Sequence, residues 1–349
     1  MRVAFYKPLV RPSFLGDARR SRYLGFASLI AWRNRLPNDD EFVPCLYARD
    51  IRKSKPDAIG LSSVTETFPR LCELVAKLRE DGFSGPIWVG GPHITALPET
   101  LPVGATCGVC GAGELAFERL CDGMEPQDVP GACWRDDSGL HVNPREDQPA
   151  LDDIPIDVTA VPGEWFEIPT IRGCPYHCTH CVEGPNHGKV RSMSAEYLLD
   201  IMAKRVEATG NRDFFFQDDS FLSVPGRLDE LHRLVLERGL ARKFRVFLVS
   251  MNANQVHDGT IPKLKDVGTV MAGFGMESLN DRILKLFKRG VVTREHIEQA
   301  ITYSRKAGVR CGGSLVCGYP SETRAEMEES LQRMGEQRRI GGFGMFEVV

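Results

Sequence analysis

The chain has 349 residues, of which 42% are hydrophobic and 26% charged, and its formal net charge is −3. That is ordinary globular usage, long enough for two domains with real cores, and it gives no electrostatic reason to expect nucleic acid or an anionic membrane as a partner. No run of about eighteen apolar residues is present, so no membrane span is expected, and Met1-Arg2-Val3-Ala4-Phe5-Tyr6 opens as a strand instead of a secretory signal. The eleven cysteines are scattered and odd in number. They fit a reducing compartment, the cytoplasm, better than the disulfide framework of a small secreted domain.

Strand-like and helix-like segments alternate from the start. Val3 to Tyr6 reads as a strand, Arg22 to Arg35 as a helix, Phe42 to Tyr47 as a second strand and Ala58 to Leu61 as a short buried one. A helix starting near Thr65–Thr67 follows, with Leu71, Leu74, Val75 and Leu78 at i, i+3, i+4 and i+7. Ile87 to Val89 then runs into Gly90-Gly91, and Glu114 to Cys121 reads as another helix. This alternation predicts a doubly wound parallel sheet over residues 1–123. Residues 124–164 are rich in Pro, Gly and Asp, with a small hairpin around Ser138-Gly139, and read as a linker packed against both halves.

From residue 165 to 349 the alternation resumes. Strands are expected at Ile168–Ile171, Phe214–Phe216, Val246–Val249, Val270–Phe274, Ser314–Cys317 and Phe343–Val349. Amphipathic helices lie between them, and the last opens on the capping box Thr323 and Glu326. Six parallel strands with intervening helices predict a partial (β/α)6 barrel.

Three cysteines differ from the rest. In Arg172-Gly173-Cys174-Pro175-Tyr176-His177-Cys178-Thr179-His180-Cys181, three thiolates follow the first barrel strand directly. Soft sulfur ligands suit an iron–sulfur centre, and three of them leave one iron of a [4Fe–4S] cluster open to a chelating ligand. The competing assignment is structural zinc, with His187 as a fourth ligand.

Cys-x₃-Cys-x₂-Cys behind a first strand resembles the signature of the radical S-adenosylmethionine (SAM) superfamily. His180 stands where that family usually has an aromatic residue, and with Tyr176 it is expected beside the cofactor. Phe215-Phe216-Gln217-Asp218-Asp219-Ser220-Phe221 resembles the family's F-x-D-D-x-F element, which implies that Asp218 or Asp219 meets the amino group of SAM. Ser250 closes the third strand, and Gly273-Phe274-Gly275-Met276-Glu277-Ser278 resembles the stretch that places a carboxylate, Glu277, at the ribose hydroxyls. Arg289-Gly290 resembles a basic position associated with the SAM carboxylate, and Gly318-Tyr319-Pro320-Ser321-Glu322-Thr323 a G-x-P-G-E-T turn.

Residues 1–123 resemble the cobalamin-binding (B12-binding) domain that precedes the barrel in one radical SAM subgroup. The matching residues are Pro56 to Ser63, Ile87 to His93 and Gly111-Ala112-Gly113-Glu114. Ser62, Ser63, Gly90 and Gly91 would leave room for a flat nucleotide tail. The Asp-x-His-x-x-Gly motif that ligates cobalt elsewhere is absent. Cys107 and Cys110 read as core packing, and Cys45, Cys72 and Cys107 lack the contexts that a methylthiotransferase's second cluster requires.

The resemblance implies reductive cleavage of SAM to a 5′-deoxyadenosyl radical and, with cobalamin, methyl transfer to an unactivated carbon or phosphorus centre. Two alternatives stay open: a cobalamin-independent radical rearrangement, cyclisation or dehydrogenation, and a non-catalytic iron–sulfur protein. The expected partners are a small-molecule or peptide substrate, a flavodoxin- or ferredoxin-type electron donor, and a second copy or partner subunit along the final strand, Phe343–Val349. The catalytic acid or base is not legible.

Overall fold

The computed structural model describes residues 1–8, 24–158, 166–183, 188–339 and 343–348. His187, the proposed fourth zinc ligand, lies outside them. The chain divides into two compact units, Met1–Asp157 and Val158–Gly184 with Lys189–Val349.

The first unit is built on strands β1 (Arg2–Tyr6), β2 (Glu41–Pro44), β3 (Ala58–Ser62), β4 (Ile87–Gly90), β5 (Cys107–Val109), β6 (Ala132–Asp136) and β7 (Gly139–Val142), in the spatial order β2-β1-β3-β4-β5-β6-β7. The first five are parallel, an order in which the chain reverses between β1 and β3. Successive residues feed opposite faces. Val3 and Phe5 pack with Ala58, Trp88 and Phe117, whereas Ala4 packs with Ile59, Leu71, Val75 and Val89. The Phe68–Glu80 helix covers the second face through Phe68, Leu71, Val75 and Leu78. Each fully buried aliphatic side chain there contributes about 1.5–3 kcal/mol.

Much of the expected linker belongs to this sheet. β6 pairs antiparallel with β5, and β7 with β6, so the hairpin prolongs the sheet beyond its last parallel strand. Buried Ala132 and Cys133 supply the apolar contact that holds it there.

The second unit carries a six-stranded parallel sheet in the order β15-β14-β13-β12-β11-β8. Its strands are β8 (Phe166–Ile168), β11 (Asp213–Phe216), β12 (Arg245–Met251), β13 (Thr269–Glu277), β14 (Arg310–Leu315) and β15 (Phe343–Val348). Helices link them in the manner of a partial (β/α)6 barrel. The first, Ala195–Thr209, is capped by Ser194, whose side chain accepts from the Tyr197 N–H, and stops at left-handed Gly210. The box at Thr323 and Glu326 forms as expected, the Thr323 N–H donating to Glu326 Oε2 at 2.8 Å.

Two strands depart from expectation. The first breaks after Ile168, because Pro169 offers no N–H to a ladder. Ile171–Arg172 (β9) then pairs antiparallel with Arg191–Ser192 (β10), which brackets the cysteine loop at its base. β14 starts at Arg310, ahead of the expected Ser314, and includes Gly312-Gly313. A Cβ at Gly313 would lie 2.4 Å from the Phe274 carbonyl, so the missing side chain is what lets β14 close on β13. No helix among the described residues is long and apolar enough to cross a membrane.

Candidate functional site

The cysteine loop of the second unit leaves the carboxyl end of the first barrel strand and is held from two sides. At its base, Asp218 at the end of β11 accepts from the Thr170 hydroxyl at 2.6 Å and from the Ile171 N–H at 2.8 Å. Burial pushes the Asp218 pKa up to about 6, against the lowering effect of those bonds and of Arg227. Arg227 in turn donates to the Met193 and Thr170 carbonyls. Exposed Asp219 accepts from the Gly173 N–H at 3.2 Å. Of the two aspartates, then, Asp218 spends both oxygens on the loop's backbone and its Thr170 anchor, and Asp219 is the one that faces outward.

On the far side the loop docks against the end of the Asp281–Lys288 helix. The last carbonyls of a helix have no partners within it. Here the Thr179 N–H donates to the Phe287 carbonyl at 3.0 Å and its hydroxyl to the Leu286 carbonyl at 3.1 Å. The same hydroxyl lies 3.2 Å from the Tyr319 hydroxyl, and Tyr319 packs edge-on against Phe287. The turn carrying Tyr319 is tied by Glu322, which accepts from the Gly318 and Tyr319 N–H groups.

Between these anchors, Cys174 and Cys178 are half-buried and Cys181 is exposed. Burial raises the Cys174 and Cys181 pKa values, and the negative charge of Asp219 and of Cys178 adds to it. Cys174 and Cys181 are thus near enough to Cys178 to feel it, and these two thiols hold their protons until a metal displaces them. Among the described residues no three His, Cys, Asp or Glu side chains stand at the spacing one ion requires. Four thiolates around one zinc would sit about 3.8 Å apart, from a Zn–S bond of about 2.3 Å. A four-iron cube takes each thiolate on a separate iron, and three free thiols in one loop match the donor set of a cube with one open iron. Cys45 and Cys107 are buried and Cys72 is half-buried.

Tyr176, in the same loop, meets Asn254, whose amide nitrogen lies 3.3 Å from its hydroxyl. His180 packs edge-on against Phe287, with Nε2 at 3.7 Å from Glu277 Oε1. Burial holds its imidazole below the usual range, and the Lys288 charge works in the same direction. Glu277 is buried and ion-paired with buried Lys288 at 2.8 Å. Ser250, opposite Gly273 in the ladder, is half-buried and has no side-chain partner among the described residues. Arg289 follows Lys288 in the left-handed region at φ 53° and is exposed. Thr170, Thr179, Asn254 and Lys288 carry no motif of their own, and nothing in the sequence singled them out.

In the first unit the residues of interest sit at carboxyl ends of β3 and β4. Ser63 is fully buried and its hydroxyl has no hydrogen-bond partner among the described residues. Gly91 has φ 98°, and a Cβ there would lie 2.6 Å from Ser62 Oγ and 2.8 Å from the Ser63 carbonyl. A Cβ at Gly90 would meet none of the described residues within 4 Å. An orphaned buried hydroxyl beside open space is the mark of a site that expects a ligand group. His93 offers none: it stacks on Phe68 and its two ring nitrogens lie 3.1 and 3.0 Å from the Thr65 and Thr100 hydroxyls. Cys107 and Cys110 are buried core residues, and burial pushes the Cys107 thiol up to about 12.

A family model described as the radical SAM superfamily matches residues 168–334, and one described as a B12 binding domain matches residues 47–121. An uncharacterized methyltransferase of Pyrococcus horikoshii is 26% identical over 82% of this chain and 65% of its own length. The bacteriochlorophyllide d C-8(2)-methyltransferase of Chlorobaculum tepidum is 26% identical over 79% of this chain and 62% of its own. The chain therefore spans a little under two thirds of either relative. Among solved structures, the radical SAM methyltransferase TsrM of Kitasatospora setae superposes with a TM-score of 0.81 at 18% identity, covering 99% of this chain and 72% of that one. That likeness is one of fold. The chain thus carries a radical SAM match over residues 168–334 and, ahead of it, a B12-binding match over residues 47–121.

Proposed function

We propose that this chain is a cobalamin-dependent radical SAM methyltransferase acting on an unactivated carbon or phosphorus centre of a small-molecule substrate. The observation that carries the reading is a pairing within one chain. Three thiols follow the first strand of a parallel barrel, and a doubly wound sheet carries an orphaned buried hydroxyl at its carboxyl end. When bound, the cluster and SAM supply a one-electron route to a 5′-deoxyadenosyl radical and cobalamin supplies a transferable methyl group.

The chain's own residues do the holding. Cys174, Cys178 and Cys181 would ligate three irons, and Asp218 and Thr179 fix their loop from its two ends. Tyr176, His180, Asp219, Ser250, Glu277 and Arg289 would line the SAM site, with Asp219 toward its amino group and Arg289 toward its carboxylate. Ser63 would donate to the corrinoid's nucleotide tail across the space beside Gly90, with Gly91 packed closely against Ser62 and Ser63. The methyltransferase names of the curated relatives, and a TsrM structure with cobalamin and a [4Fe–4S] cluster bound, support the same reading. A flavodoxin- or ferredoxin-type donor would deliver the electron in the cytoplasm, and a second chain would pair along β15, an edge of the sheet among the described residues.

Cobalamin-independent radical chemistry is the second reading, and one observation favours it. No histidine precedes His93, and both nitrogens of His93 have hydroxyl partners, so the first ninety-odd residues offer cobalt no ligand of the usual kind. Anaerobic purification with iron, sulfide and cobalt analysis tests both. About four irons per chain with bound corrinoid supports methyl transfer. Iron without cobalt, after growth with cobalamin, turns the assignment to the second reading, and zinc in place of iron refutes both.

A further inference from the structure

Lys288 is the last residue of an amphipathic helix, a place where a lysine ordinarily reaches into water. Here its side chain is 5% exposed, and its ammonium donates to Glu277 Oε1 at 2.8 Å. The same oxygen lies 3.7 Å from His180 Nε2, on the cysteine loop. Glu277 Oε2 has no partner among the described residues.

Three features of the backbone converge on that one carboxylate. The ladder between β13 and β14 shifts register between Gly275 and Glu277, and such a bulge re-aims a side chain. Glu277 itself has φ 59°, in the left-handed region that favours glycine. A Cβ at Gly275 would lie 2.9 Å from both Glu277 Oε1 and Lys288 Nζ, so the pair fits only because that residue is glycine. A buried pair is a poor source of stability, because desolvation offsets its attraction, and an apolar contact would need neither strained backbone nor an obligatory glycine. Strain kept at the mouth of a barrel points to work done there.

We propose that Lys288 is a positioning residue, which clamps Oε1 of Glu277 and aims the carboxylate so that Oε2 accepts from the vicinal hydroxyls of a bound nucleoside. The inference rests on the reading that SAM binds at this barrel. Lys288 acts through Glu277 and does not itself touch the ligand.

The test compares two ligands that share the nucleoside. Reconstituted protein is titrated calorimetrically with SAM and with methylthioadenosine, which has the ribose but neither amino nor carboxylate group. Lys288→Met is expected to keep its iron and to bind both ligands more weakly by the same factor, about 10- to 100-fold, the worth of a hydrogen bond to a charged group. Lys288→Arg restores most of the affinity, and adding Glu277→Gln to Lys288→Met weakens binding little further. Wild-type affinity in Lys288→Met overturns the proposal, as does a loss confined to SAM, which would make the lysine a direct carboxylate ligand. Should Lys288→Met fail to fold, Glu277→Gln and Lys288→Arg decide by the same comparison. Wild-type protein that holds iron but binds neither ligand overturns the parent reading and this one with it, whereas wild-type binding with an unaffected Lys288→Met overturns this one alone.

Discussion

Asp218 lets the anchoring of the cysteine loop be tested without any cofactor. Its side chain is buried, and it accepts from Thr170 and Ile171 at 2.6 and 2.8 Å. Burial raises its pKa from 3.8 to about 6. An acid whose folded pKa lies above its unfolded one holds its proton more tightly when folded. Its contribution to stability is therefore complete below the unfolded value of 3.8 and is lost as pH rises through about 6. A gap of that size corresponds to about 3 kcal/mol, the part of the folding free energy that ionising Asp218 removes by neutral pH. Asp218→Asn keeps the shape and one acceptor oxygen but cannot ionise. The mismatch of its amide against Thr170 adds an offset that does not vary with pH, so the slope is diagnostic. Urea unfolding of the apo protein, followed by circular dichroism across this range, should show the variant gaining about 2.5 kcal/mol on the wild type between about pH 4 and about pH 7. A difference that stays flat over that window would refute the buried ionisation, and with it the view that the loop's base is closed to water.

The other expectations need less argument. Cys178→Ala should lose the iron while keeping its far-ultraviolet circular dichroism, since the loop is held by Thr179 and Asp218 and not by its thiols; iron content decides. Ser63→Ala should stabilise the apo protein by about 1 kcal/mol, because it removes a buried hydroxyl with no partner. The same change should weaken corrinoid retention on a desalting column, and a variant less stable in the apo form would show that the hydroxyl is satisfied after all. Gly91→Ala should cost at least about 1–2 kcal/mol from its left-handed φ of 98°, before the clash with Ser62 and Ser63 is added. Gly275→Ala should reproduce the nucleoside-binding loss of Lys288→Met with iron intact, because its methyl group would displace the same ion pair. Equal affinity in Gly275→Ala and wild type would mean that the pair moves aside without consequence.

What the sequence could show depended on whether a residue's job was local. The cysteine spacing, the Thr323–Glu326 box and the alternation that sets the strands are all local patterns. They survive translation into structure with boundary shifts of a few residues. The first barrel strand differs from expectation where Pro169 interrupts it, and β14, expected from Ser314, starts at Arg310, because a close approach of Gly313 to the Phe274 carbonyl suits a glycine within the strand. Asp218 and Asp219 are adjacent and looked interchangeable. They differ only because Asp218 meets Thr170 and Ile171, 48 and 47 residues away in the chain, while Asp219 stays exposed.

The same distinction separates motif from support around Glu277. Its motif announces a carboxylate at a strand end, but the motif does not announce what makes that carboxylate usable. The lysine that pairs with it lies eleven residues on, beyond a helix, and looks like any solvated residue at a helix terminus. The glycine two positions before it looks like a turn device, yet its missing Cβ is the space the pair occupies. The histidine beside it replaces the aromatic residue that the resemblance led one to expect, and it gains a neighbour, Glu277, that a plain aromatic ring would not need. Residues that touch a ligand are constrained by chemistry shared with every protein that binds the same ligand. Those that hold them in place are constrained only by this chain's packing. It follows that the motif can be transferred between sequences as a unit, while its support must be read from each structure, and that substitutions at Gly275 and Lys288 probe the second without touching the first.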